Sequence, residues 1–130
     1  MKDDRVKVTD LELTILQHIW SADNSATVND IIDRWTETNA PGYTTVLKTL
    51  QKMEDKDIVG HESLGRKYAY FAKVSKEQVA KKRLCTLVDR VFGGDQLSFA
   101  QYFINTQDLD AKDLQALKQL IAQKQKESKQ

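Results

Sequence analysis

The chain of 130 residues has one cysteine, one proline, two histidines and no long apolar run. The single Cys85 excludes an intrachain disulfide, and with only His18 and His61 beside it the sequence shows no cluster of metal ligands. No stretch approaches the roughly 18 apolar residues of a membrane span. The N-terminus also lacks the apolar core of a signal peptide. We therefore expect a cytoplasmic protein with no membrane insertion and no bound metal.

Motifs of catalysis are missing as well. The sequence contains no glycine-rich phosphate loop, no nucleophile elbow and no paired-ligand motif. Two isolated histidines do not supply a catalytic triad. We expect neither an enzyme nor a protein that needs a cofactor.

Charge is nearly balanced, with a formal net charge of +1. Residues 1–75 carry 10 Lys and Arg against 12 Asp and Glu, whereas residues 76–130 carry 10 against 7. Many DNA-binding domains are clearly basic. Any affinity for phosphate in the first part must therefore come from a local set of cations, namely Lys48, Lys52, Lys56, Arg66 and Lys67.

Four capping boxes predict where helices begin. Thr9, Thr27, Ser75 and Asp110 each precede, by three residues, a side chain able to accept from the backbone of the capping residue. Apolar residues at helical spacing follow each box. Pro41 and Gly42 interrupt the second helix, and Gly93 and Gly94 end the fourth. A short helix over 95–105 and a last helix that frays into a polar tail from residue 123 complete the prediction.

The stretch over residues 43–73 combines an amphipathic helix with a hairpin. The helix, predicted over 43–57, has an apolar face of Val46, Leu47, Leu50 and Met53 and an opposite polar face of Thr44, Thr45, Lys48 and Lys52. Strand-like runs at 58–63 and 67–72 follow, joined by residues 64–66 with Gly65 in the turn. A helix-turn-helix followed by such a hairpin is a winged helix.

Side chains for DNA contact follow from this arrangement. We expect Thr44, Thr45 and Lys48 to contact base edges and Lys52 to contact phosphate or the groove edge. Arg66 and Lys67 at the tip of the wing are expected to contact phosphate or the minor groove. Two residues leave alternatives open: Thr27 is equally a helix cap or a phosphate ligand, and Tyr43 equally a phosphate ligand or part of the core.

Residues 75–130 form three predicted helices with apolar stripes. So short a helical segment cannot bury all these stripes alone, and pairing with a second copy solves this. The predicted fold is mostly α with a small β-wing, a winged helix-turn-helix domain over 1–74 followed by a helical dimerisation domain over 75–130. Cys85 is expected to be buried among its apolar neighbours. The candidate dimerisation residues are Leu84, Leu87, Val88, Val91, Phe92, Leu97, Phe103, Leu114, Leu117 and Ile121.

The sequence resembles the penicillinase-repressor family of winged-helix repressors over nearly its full length. The segments that carry the resemblance are LTILQHIW at 13–20, YTTVL at 43–47, LQKMEDK at 50–56, GRKYAY at 65–70, VFGG at 91–94 and DLD at 108–110. The resemblance implies a homodimeric bacterial repressor that binds an inverted-repeat operator in double-stranded DNA. It also implies inactivation by a membrane-bound sensor-protease encoded nearby.

Three positions depart from the family pattern. Asp57 stands where the family often has a glycine that ends the recognition helix in a left-handed conformation. The pair Tyr102-Phe103 stands where antibiotic-responsive members have the Asn-Phe bond that is cleaved. No cysteine follows Cys85, whereas copper-responsive members have a cysteine-rich metal site near the C-terminus. The leading hypothesis is a DNA-binding repressor, and the alternative is a winged helix that binds another protein.

Overall fold

A computed structural model of the chain describes residues 7–36 and 38–129. Within this part the protein is mostly helical with one small antiparallel sheet, as predicted, whereas the outer limits of the two predicted domains, at residues 1 and 130, lie outside it. The elements are α1 (Asp10–Ser21), α2 (Val28–Arg34), α3 (Tyr43–Asp55), β1 (Val59–Leu64), β2 (Lys67–Ala72), α4 (Lys76–Val91), α5 (Gln96–Thr106) and α6 (Ala111–Ser128). The chain separates into two compact units, Met1–Cys85 and Thr86–Gln130, so the division falls inside α4.

The four predicted capping boxes are present. Thr9, Thr27, Ser75 and Asp110 each accept a hydrogen bond from the backbone N–H three residues on, and the residue there accepts from the N–H of the cap. Asp95 caps α5 in a similar way, accepting from the N–H and the hydroxyl of Ser98. These bonds to the ionised form hold the pKa of Asp95 below its usual value. Local sequence therefore determines where these helices begin.

The core of the first unit is built from one apolar stripe of each helix. Ile15, Leu16 and Ile19 of α1 are fully buried, as is Ile31 of α2. From α3 the buried side chains are Val46, Leu50 and Met53, with Leu47 half-buried beside them. This face of α3 is the predicted one, so the polar face of the same helix must point away from the core.

The wing is a two-stranded hairpin attached to the turn between α1 and α2. Leu64 pairs with Lys67, so only Gly65 and Arg66 form the turn, which is one residue shorter than predicted. Gly65 has φ 65° while Arg66 stays out of the left-handed region, as in a type II′ turn. At the base of the wing, Ala26 and Tyr70 exchange two backbone hydrogen bonds of 3.0 and 2.7 Å.

Asn24 strengthens this attachment. Its side-chain oxygen accepts from the N–H of Ala72 at 2.8 Å, and its amide nitrogen donates to the carbonyl of Ala72 at 3.3 Å. Asn24 has φ 59°, a left-handed conformation that asparagine adopts more readily than most residues. The turn between α1 and α2 is therefore shaped to receive the edge of the wing.

Helix α3 ends two residues earlier than predicted, because Asp57 adopts φ 64°. The N–H of Ile58 donates to the carbonyl of Met53 at 2.8 Å, and the N–H of Asp57 donates to that of Glu54 at 3.0 Å. This pair of bonds is a Schellman motif, and the accompanying apolar contact is between Ile58 and Met53, both fully buried. The left-handed residue ends the helix and turns the chain into β1.

The second unit contains the end of α4 together with α5 and α6. Gly93 and Gly94 have φ of 59° and 81°, and the N–H of Gly94 donates to the carbonyl of Val88 at 2.9 Å. The ring of Phe92 meets the rings of Phe99 and Tyr102, both at 5.6 Å between centroids. Helix α6 continues to Ser128, so most of the polar tail expected to fray from residue 123 is helical. No described helix combines the length and apolarity needed to cross a bilayer.

We predict that glycine at position 57 is more stabilising than alanine. Both substitutions remove the carboxylate, so their difference isolates the left-handed backbone, which costs alanine about 1 kcal/mol more than glycine. Chemical denaturation of Asp57→Gly and Asp57→Ala measures this difference. At Lys52, exposed within α3, the order should reverse, with glycine less stable than alanine by about 1 kcal/mol. The same order at both positions would contradict the assignment.

Candidate nucleic-acid interface

The polar face of α3 is exposed along its length. Thr44, Thr45, Lys48 and Lys52 all lie on the solvent side, opposite the buried apolar stripe. Residues 43–52 contain two lysines and no acid, whereas Glu54 and Asp55 occupy the end of the helix. The N-cap Gly42 supplies no side chain to the first turn. The N-terminal part of α3 thus presents hydroxyl and ammonium groups without a competing carboxylate on the same stretch.

A groove of about 290 Å³ lies between α2, α3 and the wing. It brings together four of the predicted contact residues, Thr27, Tyr43, Arg66 and Lys67. Asn29, Gln51, Tyr68 and Tyr70 also line it. The groove therefore combines two cations with tyrosine hydroxyls and side-chain amides, which are groups that donate hydrogen bonds to phosphate.

Two predicted residues had alternative roles. Tyr43 is 52% exposed and lines the groove, so it does not belong to the core. The hydroxyl of Thr27 accepts from the N–H of Asp30 at 3.1 Å, which is the capping role. Thr27 also lines the groove, and its contact with DNA stays a prediction.

Lys56 differs from the other expected cations because its ammonium is engaged within the protein. It donates to a carboxylate oxygen of Glu12 at 2.8 Å, and the Glu12 side chain is only 5% exposed. The same oxygen accepts from the N–H of Thr9 at 2.9 Å. Since a buried carboxylate needs its partners, Lys56 serves the fold and is not available to phosphate in this arrangement.

Two further carboxylates beside the end of α3 have partners. Glu54 lies 2.8 Å from Nδ1 of His61 on β1, and Asp57 lies 2.8 Å from the ammonium of Lys73. Most acids of this region therefore lie at the C-terminal end of α3 and the base of the wing, with Glu62 exposed farther along β1. Of the exposed cations, Lys48 lies nearer the start of α3 and Arg66 and Lys67 at the tip of the wing, whereas Lys52 lies in the last turn of α3. The slightly acidic net charge of the unit therefore hides a partial local separation of charge.

Tyr70 forms the floor of the groove and is 3% exposed. Burial raises the pKa of its hydroxyl above 10, and the nearby Glu54, Tyr43 and Tyr68 raise it further. The hydroxyl is therefore neutral at physiological pH and able to donate a hydrogen bond.

Seven of the ten candidate dimerisation residues are exposed. Leu84 lies in the first unit, and the six in the second unit are Leu87, Val91, Leu97, Phe103, Leu114 and Ile121. Phe92 and Leu117 are half-buried, and Val88 is buried within the chain. Tyr102, Ile104 and Leu120 are exposed too, although the sequence did not single them out for dimerisation. Cys85 is exposed, contrary to the expectation of burial, because the neighbours expected to cover it, Leu84 and Leu87, are themselves exposed.

Several contacts of the interface were not foreseen. The pairs Glu12–Lys56 and Glu54–His61 join different elements, and no local pattern in the sequence signals them. Gln51 was not predicted for a different reason. It lies on α3 between the apolar face and the polar face, so helical spacing assigns it to neither face.

Among the described residues, no group of His, Cys, Asp and Glu is arranged to hold a metal ion.

Comparison with known proteins covers both units. The profile of one protein family, described as penicillinase repressor, matches residues 8–123. A curated protein from Staphylococcus aureus described as a penicillinase repressor is 19% identical over 121 residues, which span 93% of this chain and 95% of that protein. The match therefore extends from the start of α1 into α6.

We predict that Tyr70 weakens the fold at alkaline pH. The pKa of Tyr70 is raised in the folded state, so the fold favours the neutral hydroxyl. Its contribution to the free energy of unfolding is fully present below the unfolded pKa near 10 and is lost as the pH rises through the folded pKa. Tyr70→Phe should therefore flatten the fall in unfolding free energy above about pH 10. Denaturant melts at a series of pH values measure it. Tyr102→Phe, at an exposed tyrosine outside this groove, should leave the fall in place, and equal slopes in all three proteins would contradict the prediction.

Proposed function

The chain belongs to the penicillinase repressor family, and we propose that it binds a pseudo-palindromic operator in double-stranded DNA as a homodimer. The family makes it a transcriptional repressor. The observation that carries the finer proposal is the joint exposure of the polar face of α3 and the wing-tip cations beside one groove. Family membership points to a repressor rather than an enzyme, and we propose a cytoplasmic location for it.

Helix α3 is proposed to enter the major groove. An α-helix with its side chains is about 10–12 Å across, which fits the roughly 12 Å width of that groove, and the 13 residues of α3 give it a length of about 20 Å. Thr44, Thr45 and Lys48 then meet base edges, and Lys52 meets the groove edge or a phosphate. The wing contributes Arg66 and Lys67 to the flanking backbone or the minor groove, with Tyr43 and Thr27 beside them.

Dimerisation is proposed to occur through the second unit. Its exposed apolar side chains, from Leu87 on α4 to Ile121 on α6, are costly to leave in water. A second copy presents the same apolar surface, and a two-fold dimer matches an inverted-repeat operator. Pairing also compensates for the few free cations of each first unit, because two units on one DNA double the number of phosphate contacts.

Release from DNA is proposed to occur by proteolysis in the 95–105 region or by loss of dimerisation. A membrane-bound sensor-protease encoded nearby is the proposed partner. The bond between Tyr102 and Phe103 lies inside α5, and Tyr102 contacts Phe92 through its ring. A protease must therefore unfold this turn of helix before cleaving it, since an extended segment is needed in most protease clefts.

One observation favours a second candidate, a winged helix that binds another protein instead of DNA. Residues 1–75 have two more acidic than basic side chains, which opposes non-specific attraction to DNA. Salt separates the two functions, because DNA binding weakens steeply as salt rises.

We predict salt-dependent binding of the full chain to the DNA upstream of its own gene. Lys48→Ala and Arg66→Ala should each weaken binding and reduce the slope of log affinity against log salt by about one per site. Fluorescence anisotropy at several salt concentrations measures both. Lys56→Met is the matched control: it should lower stability but leave the slope unchanged, since Glu12 engages that ammonium. Absence of a salt-sensitive complex would rule out the repressor proposal for this DNA.

We also predict that acidic substitutions on α6 separate the dimer. Ile121→Asp and Leu114→Asp place a charge where an apolar contact is proposed, so dimer affinity should fall by at least about tenfold. Sedimentation equilibrium measures the change. Gln123→Asp, at an exposed polar position of the same helix, should have little effect. A monomeric wild-type chain, or dimers that tolerate both substitutions, would refute this interface.

A further inference from the structure

A contact between α3 and the wing has no role in the functions described so far. Nδ1 of His61 on β1 lies 2.8 and 2.9 Å from the two carboxylate oxygens of Glu54 on α3. A carboxylate only accepts hydrogen bonds when ionised, so His61 donates from this nitrogen. A hydrogen bond therefore holds the imidazole of His61 against α3.

Rings of β2 complete the contact. His61 lies opposite Tyr70 in the hairpin, and the centroids of their rings are 5.7 Å apart. The ring of Tyr68, one step toward the tip, is 4.5 Å from that of His61. Glu54, His61 and Tyr68 thus form a row across the space between α3 and the wing.

This row lies where the wing leaves the core. Val59 and Tyr70 are buried, whereas every residue from His61 to Tyr68 is exposed. From His61 to the end of β1 the strand extends about 10 Å. A rotation of about 20° at His61 would move the tip by about 3 Å, enough to break a hydrogen bond made there.

We propose that Glu54 and His61 are positioning residues that set the gap between the recognition helix and the wing. The inference rests on the proposed function, in which α3 and the wing tip contact the same DNA duplex. Neither residue has to touch DNA. Both side chains are about one-third exposed, so their contact contributes little to overall stability, and its effect should appear in binding instead.

The direction in which Glu54→Ala changes the affinity for DNA distinguishes a positioning role from an effect of charge. Glu54→Ala removes a negative charge near the proposed DNA surface, which on charge alone strengthens binding. Positioning predicts the opposite, a loss of about three- to tenfold in affinity for the operator. Asp55→Ala is the matched control, because it removes the same charge from the next residue of the same helical turn. That variant should bind as well as the wild type or better.

A double-mutant cycle with the wing tip supplies a second measure. Arg66→Ala should weaken the wild type severalfold, but should have much less effect in the Glu54→Ala background, where the tip is already displaced. In the Asp55→Ala background its effect should be unchanged. Glu54→Gln keeps an oxygen that accepts from His61 and should restore part of the affinity. Thermal melts of all variants test whether each is folded, and His61→Ala, which removes the donor to Glu54, replaces Glu54→Ala if that variant unfolds.

The outcomes distinguish the two levels of the proposal. If the wild-type chain shows no salt-sensitive binding to DNA, the proposed function fails and this inference fails with it. If the wild type binds and Arg66→Ala weakens it, but Glu54→Ala and Asp55→Ala behave alike, the inference fails while the proposed function stands. Independent effects of Glu54→Ala and Arg66→Ala in the cycle would overturn it in the same way.

Discussion

The backbone pairing of Ala26 with Tyr70 is the constraint on which the first unit depends. Its two hydrogen bonds attach the hairpin to the turn between α1 and α2. The side chain of Tyr70 simultaneously fills the core between that turn and α3. One residue thus joins the wing to the helix-turn-helix through its backbone and its side chain, and the groove between α3 and the wing exists because these attachments hold both of its walls.

Charge is organised on a smaller scale than the net value suggests. The carboxylates of Glu12 and Asp57 are each bonded to a lysine ammonium and that of Glu54 to the imidazole of His61, and all three contacts lie toward the C-terminal end of α3 or the base of the wing. Exposed hydroxyl and ammonium groups remain on the N-terminal half of the helix at Thr44, Thr45 and Lys48, and Lys52 adds a cation in its last turn. A single unit with so few free cations is suited to weak, reversible contact with phosphate, which gives the apolar second unit its importance in the proposed dimer.

Local features of this fold were predictable, and contacts between distant residues were not. The capping boxes at Thr9 and Asp110 involve residues three apart, and Gly65 marks its own turn, so these needed no tertiary information. The end of α3 was misplaced because the left-handed Asp57 is stabilised by Ile58 packing on Met53, which helical periodicity does not show. Lys56 was assigned to phosphate because its partner Glu12 is 44 residues away. The polar face of α3 was located correctly, since burial of its apolar stripe leaves no other orientation, but its contact with DNA is still a proposal.

The residues at the tip of the wing can change in evolution independently of the residues in the core. Residues 62–68 are exposed, while the residues that attach the hairpin, from Val59 and Tyr70 to Ala72, lie behind them. Substitutions at the tip therefore alter what the hairpin offers to a partner without disturbing the core. Lineages that carry this fold can diversify there at little cost in stability, and under the proposed mode of binding two repressors with the same α3 can come to prefer different flanking sequences.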